Sequence, residues 1–368
     1  MSPIRLLVPD MPDHIEVLPY LRQIDAARWY TNFGPLVSRF EDQLGPLLGH
    51  PVPHRCSVAN CTLGLELAFS ALGLPRGAKV LLPALTFVAT ATAVLRAGLT
   101  PVIADVDAQS WLLSTDTARE IVRKQKIACV MPVATYGCPV PLKAWDDFVA
   151  DTGIPVLIDA AGAFGNQLVG ENTTVVYSFH ATKTFGIGEG GVVCSQNKPV
   201  IAALRQLSNF GIDLATGLAM GPGSNAKLSE YHAAVGLAAL QTWPQRMARR
   251  RKLHADYAAA LRLACPQVTL QQRPENGIYS IMQVRLPEGI ANDVVAAALK
   301  ADGIETRLWY LPLLDTHPAL GAALVEGGLP VARALSKSMI GLPFHLQLDA
   351  DAIRKICSVL AGVLAKHG

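Results

Sequence analysis

Lys183 stands at the centre of the stretch YSFHATKTFGIGEGG, residues 177–191, where an apolar strand pattern runs into an ammonium and then a glycine-rich loop. Burying an unpaired ammonium costs several kcal/mol, and a lysine at a strand end ordinarily reaches back to water along its methylene stem. With Ser178 and His180 just before it, Lys183 reads either as an anion anchor or as an amine that condenses with an aldehyde. The second reading supplies the compensation, because an imine replaces the bare ammonium. Asp159 ends another apolar run, IPVLIDA, at the strand edge where open α/β sheets bind ligands. Its carboxylate could cap the following helix or hold a cationic ring nitrogen. In VANCTLGLELAF a polar turn opens a helix, so free N–H groups and the Thr62 hydroxyl could cradle a phosphate or simply cap the helix.

The elements that must position these residues are legible as short β-branched runs: KVLLPA, TPVIADV, ACVMPVA, IPVLIDA, TVVYSF and GGVVCS. Such runs are strands buried on both faces, and the amphipathic stretches TLGLELAFSALGL and VATATAVLRAGL between them are covering helices. The expected architecture is α/β, a mostly parallel sheet between helical layers. After about residue 240 the texture changes to a long basic helix in WPQRMARRRKLHADYAAALRLA, a strand in SIMQVRLP and a last helix opening at Asp349. The boundaries read as a large domain over 1–240 and a smaller α+β domain over 241–368, with arginines 249–251 on a solvated helix face.

The totals exclude some classes. With 32 basic and 29 acidic residues and a charge of +3, the 368-residue chain has no global field for nucleic acid or anionic membrane. No apolar run approaches a bilayer span and no leader pattern opens the sequence, so the expected compartment is the cytoplasm. Seven cysteines with no C-x-x-C pair fit reduced thiols, and Cys56 and Cys61 lack a complementary Cys/His pair, so no metal is expected.

Taken in order, six motifs resemble the DegT/DnrJ/EryC1/StrS family of sugar aminotransferases from about residue 15 onward: TNFGPLVSRFEDQL, LPALTFVATATAVLRAGLTPVIADVD, SFHATKTFGIGEGG, GSNAKLSEYHAAVGLAAL, GIETRLWYLPL and GLPFHLQL. The resemblance implies the aspartate-aminotransferase-like fold and pyridoxal 5′-phosphate as cofactor. It makes Lys183 the imine-forming residue and proton shuttle, Asp159 the partner of the pyridine N–H and Phe87 the ring that stacks on the cofactor. It gives the phosphate to the Cys61 backbone, Thr62 and Ser178, and to Asn225 of a neighbouring subunit, which implies a homodimer with shared sites. His180 would touch cofactor or sugar. Two departures stand out: Gly162 in DAAGA replaces a side chain that reaches the cofactor's O3′, and Cys61 replaces a smaller residue before the phosphate-binding threonine.

The implied reaction moves an amino group from L-glutamate to a keto sugar carried on a nucleotide, with dTDP-4-keto-6-deoxyhexose preferred. Lys227, Arg307 and Tyr310 are the candidates for holding that substrate. The competing readings are amination of a cyclic polyol ketone, a sugar dehydratase and a cofactor-binding sensor without turnover. Lys183 argues against the dehydratase, in which a histidine takes its place.

Overall fold

The computed structural model describes residues 3–367. Strands β1 (His54–Val58), β2 (Lys79–Pro83), β3 (Thr100–Ala104), β4 (Cys129–Val130), β5 (Val156–Asp159), β6 (Thr173–Ser178), β7 (Gly191–Ser195) and β10 (Leu324–Val325) form one sheet in the order β1-β7-β6-β5-β4-β2-β3-β10. The pairings β10/β3, β3/β2, β2/β4, β4/β5 and β5/β6 are parallel, whereas β7 is antiparallel to both β6 and β1. Only β7 therefore runs against the rest of this sheet. A hairpin-like return after the Lys183 loop reverses the chain there, which the apolar run GGVVCS does not reveal.

Alternation along these strands divides the interior into two layers. Val175, Tyr177, Val192 and Cys194 enter one apolar cluster, while Val176, Val193, Leu157 and Val58 enter the other. Both faces are covered, so the strands read as continuous apolar runs. β1 has an exposed start and a polar head, HRCSV, and the sequence patterns above do not include it. Helices His14–Ala27 and Pro35–Leu48 pack on helix Glu230–Gln241. The buried carboxylate of Glu230 accepts from the N–H groups of Leu36 and Val37 at 2.8 Å each, which satisfies donors at a helix start that has no side-chain cap of its own.

Beyond helix Trp243–Ala264, strands β8 (Thr269–Leu270), β9 (Met282–Arg285) and β11 (Met339–Leu342) make a second antiparallel sheet, ordered β11-β9-β8, with its own apolar cluster. The chain between β9 and β11 does not stay with it: β10 joins the large sheet, and Leu313, Leu320 and Leu335 pack into the large-sheet core. The arginine run needs correction. Arg249 and Arg251 are exposed, but Arg250 is 3% exposed, because that helix turns its 250/253/257 face inward. Among the described residues no helix is long and apolar enough to cross a membrane.

Candidate active site

A cavity of about 840 Å³ lies along the edge of the large sheet where the parallel strands end. Its wall brings together Cys61, Thr62, Phe87, Asp159, Ser178, His180, Lys183, Arg307 and Tyr310, residues that are far apart in the sequence. Asn225 and Lys227 are not in that wall. Lys227 Nζ donates to the side-chain oxygens of Asn209 and Asn225 at 2.8 Å and lies 4.7 Å over the Phe210 ring, on a segment bridged to the end of β1.

Helix Cys61–Ala71 begins directly after β1. Its cap is Asn60, not Thr62: the Asn60 side chain accepts from Leu63 N at 2.9 Å. The N–H groups of Cys61 and Thr62 find no partner among the described residues, and both residues line the cavity. Such a helix start binds anions through its free donors and its dipole. Burial pushes the Cys61 thiol well above its ordinary pKa, so Cys61 offers its backbone and not a thiolate. Gly191, paired with Ser178 across β6 and β7, lets the helix come this close: a Cβ there would sit 2.7 Å from Tyr177 O and 3.1 Å from Cys61 N.

Asp159 ends β5 and is 5% exposed. Thr90 donates its hydroxyl to Oδ2 at 2.8 Å, and Ala161 N donates to Oδ1 at 3.1 Å. Burial raises its pKa, outweighing those two bonds and the pull of Lys183. Lys183 itself, partly buried on the loop after β6, has its pKa lowered chiefly by burial, against the attraction of Asp159. Each group is thus held in surroundings that disfavour its own charge. A bound ring carrying an N–H⁺ would relieve Asp159, and condensation with an aldehyde would relieve Lys183.

Aromatic residues roof the cavity. Phe87, at the start of helix Val88–Arg96, is 55% exposed with its ring in the wall, 6.0 Å from the Tyr310 ring. Tyr310 stacks on Tyr136 at 5.3 Å with planes 7° apart, and the Tyr136 hydroxyl donates to Trp309 O at 2.7 Å. Tyr136, Trp309, Thr90, Glu66 and Arg96 were not singled out from the sequence. For Tyr136 the available signal is a tyrosine before a glycine just beyond a strand, where its φ of 58° turns it out of line. Arg307 is exposed, with its guanidinium 4.7 Å over the Trp309 ring. His180 Nδ1 bonds Thr182 Oγ1 at 2.9 Å, and its Nε2 lies 3.7 Å from Glu189.

Residues 13–361 match the DegT/DnrJ/EryC1/StrS aminotransferase family. The chain belongs to this family. It is 30% identical to dTDP-4-amino-4,6-dideoxy-D-glucose transaminase of Escherichia coli, over 96% of this chain and 97% of that one. It is also 30% identical to UDP-2-acetamido-2-deoxy-3-oxo-D-glucuronate aminotransferase of Pseudomonas aeruginosa, over 89% and 90% of the two chains. Among solved structures, DesI in the presence of its TDP-sugar product superposes with a TM-score of 0.88 at 30% identity, covering 100% of this chain and 94% of that one. This family member is a pyridoxal-phosphate-dependent aminotransferase.

The residues present fit the cofactor. The free N–H groups at Cys61 and Thr62 suit its phosphate, Asp159, whose ionised form burial disfavours despite two hydrogen bonds, suits its ring nitrogen, and Lys183 suits its aldehyde. Gly162, where the sequence departs from the family pattern, packs its backbone against Gly137: a Cβ at 162 would lie 3.3 Å from Gly137 N.

Proposed function

We propose that the chain transfers the amino group of L-glutamate to the ketone of a nucleotide-linked deoxysugar, with dTDP-4-keto-6-deoxyhexose the favoured acceptor, as a cytoplasmic homodimer. The observation that carries this reading is the size and lining of the cavity. Its wall includes Lys183, Tyr310, Trp309 and the exposed Arg307, and its volume of about 840 Å³ falls in the range of sites that enclose a sizeable ligand. The dTDP- and UDP-linked sugars in the relatives' names support the acceptor class.

When bound, pyridoxal phosphate supplies an aldehyde that takes up the amino group and a ring that spreads the electrons released at the donor's α-carbon. Asp159 would pair with the ring nitrogen, offering it a carboxylate that burial has left in need of a cation. The helix start at Cys61, with Thr62 and Ser178, would hold the phosphate, and Phe87 would lie against the ring. Lys183, whose charged form burial disfavours, would accept the proton released at the donor's α-carbon and hand it on across the nitrogen. In the second half-reaction the same amine works in reverse on the sugar. Tyr310 and Arg307 hold the sugar and its diphosphate at the mouth, and Asn225 of the partner subunit closes the phosphate site.

The test is an absorbance spectrum of the holoenzyme. A visible cofactor band should bleach on adding L-glutamate and return on adding dTDP-4-keto-6-deoxyglucose. Bleaching without return removes this acceptor, and return with a cyclic polyol ketone in its place assigns the acceptor to that class. A holoenzyme with no band defeats the assignment of Lys183.

A further inference from the structure

Next to the main cavity, and sharing part of its wall, lies a much smaller polar chamber of about 10 Å³, lined by Asp10, Thr182, Lys183, Arg250, Ser280 and Phe344, among others. That volume accommodates one water molecule. Asp10 and Arg250 meet there, with Arg246 close by, and none of the three side chains hydrogen-bonds another. Arg250 Nη2 is 3.9 Å and Arg246 Nε 3.8 Å from Asp10 Oδ2, both beyond hydrogen-bond distance. The Arg250 side chain is 4% exposed; its Nη1 donates to Tyr279 O at 3.4 Å. Asp10 Oδ2 and Arg250 Nε are buried with no hydrogen-bond partner among the described residues. The Asp10 side chain is 21% exposed, yet its Oδ2 is buried; leaving such buried polar atoms unpaired is unfavourable, and a gap of this width has room for a bridging water.

The chamber borders the turn that carries the reacting lysine. Lys183, Thr182, Ser280 and Leu7 line both it and the main cavity. The bonds that hold the turn carrying Lys183 all lie within the loop or on the large-sheet side: Lys183 N to His180 O at 2.9 Å, Ala181 N to Gly188 O at 2.9 Å, Thr182 N to His180 Nδ1 at 3.3 Å, Thr182 Oγ1 with His180 Nδ1 at 2.9 Å and Thr184 Oγ1 to Phe164 O at 3.0 Å. Asp10 belongs to an N-terminal strap pinned elsewhere, through Ile4 N to Gly303 O, Phe344 N to Leu6 O and Arg246 Nη1 to Asp10 O.

We propose that Asp10 and Arg250 are positioning residues for Lys183: they hold one ordered water in this chamber against the turn at 181–183, and that water fixes the turn so that the amine faces Asp159. The proposal rests on Lys183 being the reacting amine. Misplacing a reacting group by about 1 Å costs roughly 100-fold in rate, so a loosely held turn has a kinetic signature distinct from lost stability. Arg246 remains near Asp10 when Arg250 is changed, and Asp10→Asn keeps the shape of the site while removing its charge.

The experiment has two arms. In a high-resolution crystal structure of the unsubstituted holoenzyme, an ordered water within hydrogen-bond distance of both Asp10 Oδ2 and Arg250 Nε is expected, and a dry chamber overturns the proposal whatever the variants do. In solution, Asp10→Asn and Arg250→Lys are compared with the unsubstituted enzyme for the rate at which the apoenzyme gains its visible band on adding pyridoxal phosphate, and for kcat and KM with L-glutamate. Asp10→Asn should slow band acquisition and lower kcat, each roughly 10-fold or more, with KM within about twofold. Arg250→Lys should retain part of the rate. An unchanged band rate in a folded Asp10→Asn enzyme overturns the positioning role. That result is distinguishable from failure of the functional reading, which would appear as a normal band and turnover in Lys183→Ala.

Discussion

Lys183 and Asp159 each occupy surroundings that oppose their charge, and the sign of that opposition is testable. Burial raises the Asp159 carboxyl above its ordinary value of 3.8. The folded chain therefore keeps a proton that the unfolded chain releases, and stability of the cofactor-free enzyme falls as pH rises from about 3.8 through the raised value. Above that raised value the ionised group burdens the fold. Asp159→Asn should raise the melting temperature of the apoenzyme by about 2 °C, in the range that ~1 kcal/mol gives for a large domain. The same substitution should cut turnover about 10²- to 10³-fold. Calorimetry and steady-state kinetics on one preparation measure both; a melting temperature that drops would show that Asp159 serves the fold. These two residues were legible in the sequence because polar groups at or just beyond the end of an apolar run are conspicuous. Tyr136 was not, because its place against Tyr310 depends on a turn and on a segment 174 positions away, which no local pattern encodes.

At the scale of elements, the phosphate cradle depends on how closely the helix at Cys61 approaches β7. Gly191 sets that distance, since a Cβ there would press on Tyr177 O and Cys61 N. Gly191→Ala should shift the helix start and raise the Kd for pyridoxal phosphate roughly 10-fold, about 1.4 kcal/mol, as read by equilibrium titration of the apoenzyme. An affinity unchanged in a folded variant would place the phosphate elsewhere. The covering helices and the central strands were readable from periodicity. β1 was not, because its first residues are polar and partly exposed, and the reversed direction of β7 was hidden because direction leaves no mark on an apolar run. The buried Arg250 escaped for a related reason: a run of three arginines looks solvated until the helix is packed and one of them faces inward.

At the scale of the whole molecule, Glu230 ties the N-terminal helices to the large domain by accepting from Leu36 N and Val37 N inside the core. Glu230→Ala leaves those donors unpaired and should cost about 2–3 kcal/mol, seen as a lower urea midpoint and faster proteolysis near residues 30–35. A variant with an unchanged midpoint would show that packing alone holds these helices. The proposed shared site makes a second prediction. Lys183→Ala and Asn225→Ala chains, each weak or inactive alone, should regain turnover when mixed and reassembled, because one subunit then supplies Asn225 to the other's intact Lys183. Mixtures no more active than their components would confine each site to one chain.

The sequence by itself determined the α/β class, the strand-end placement of Asp159 and Ser178, and the order of the family's motifs, because apolar periodicity and the position of polar residues relative to it are local properties of the chain; Lys183, expected at the same strand end, lies on the loop five residues beyond it. Only the tertiary structure decided which strand runs backward, which arginine is buried, that Asn60 caps the cofactor helix, and that Asn225 and Lys227 lie away from their own chain's cavity. Those outcomes depend on contacts between segments far apart in sequence, and their energies arise from burial and close approach that exist once the sheet, its helices and the smaller domain have come together.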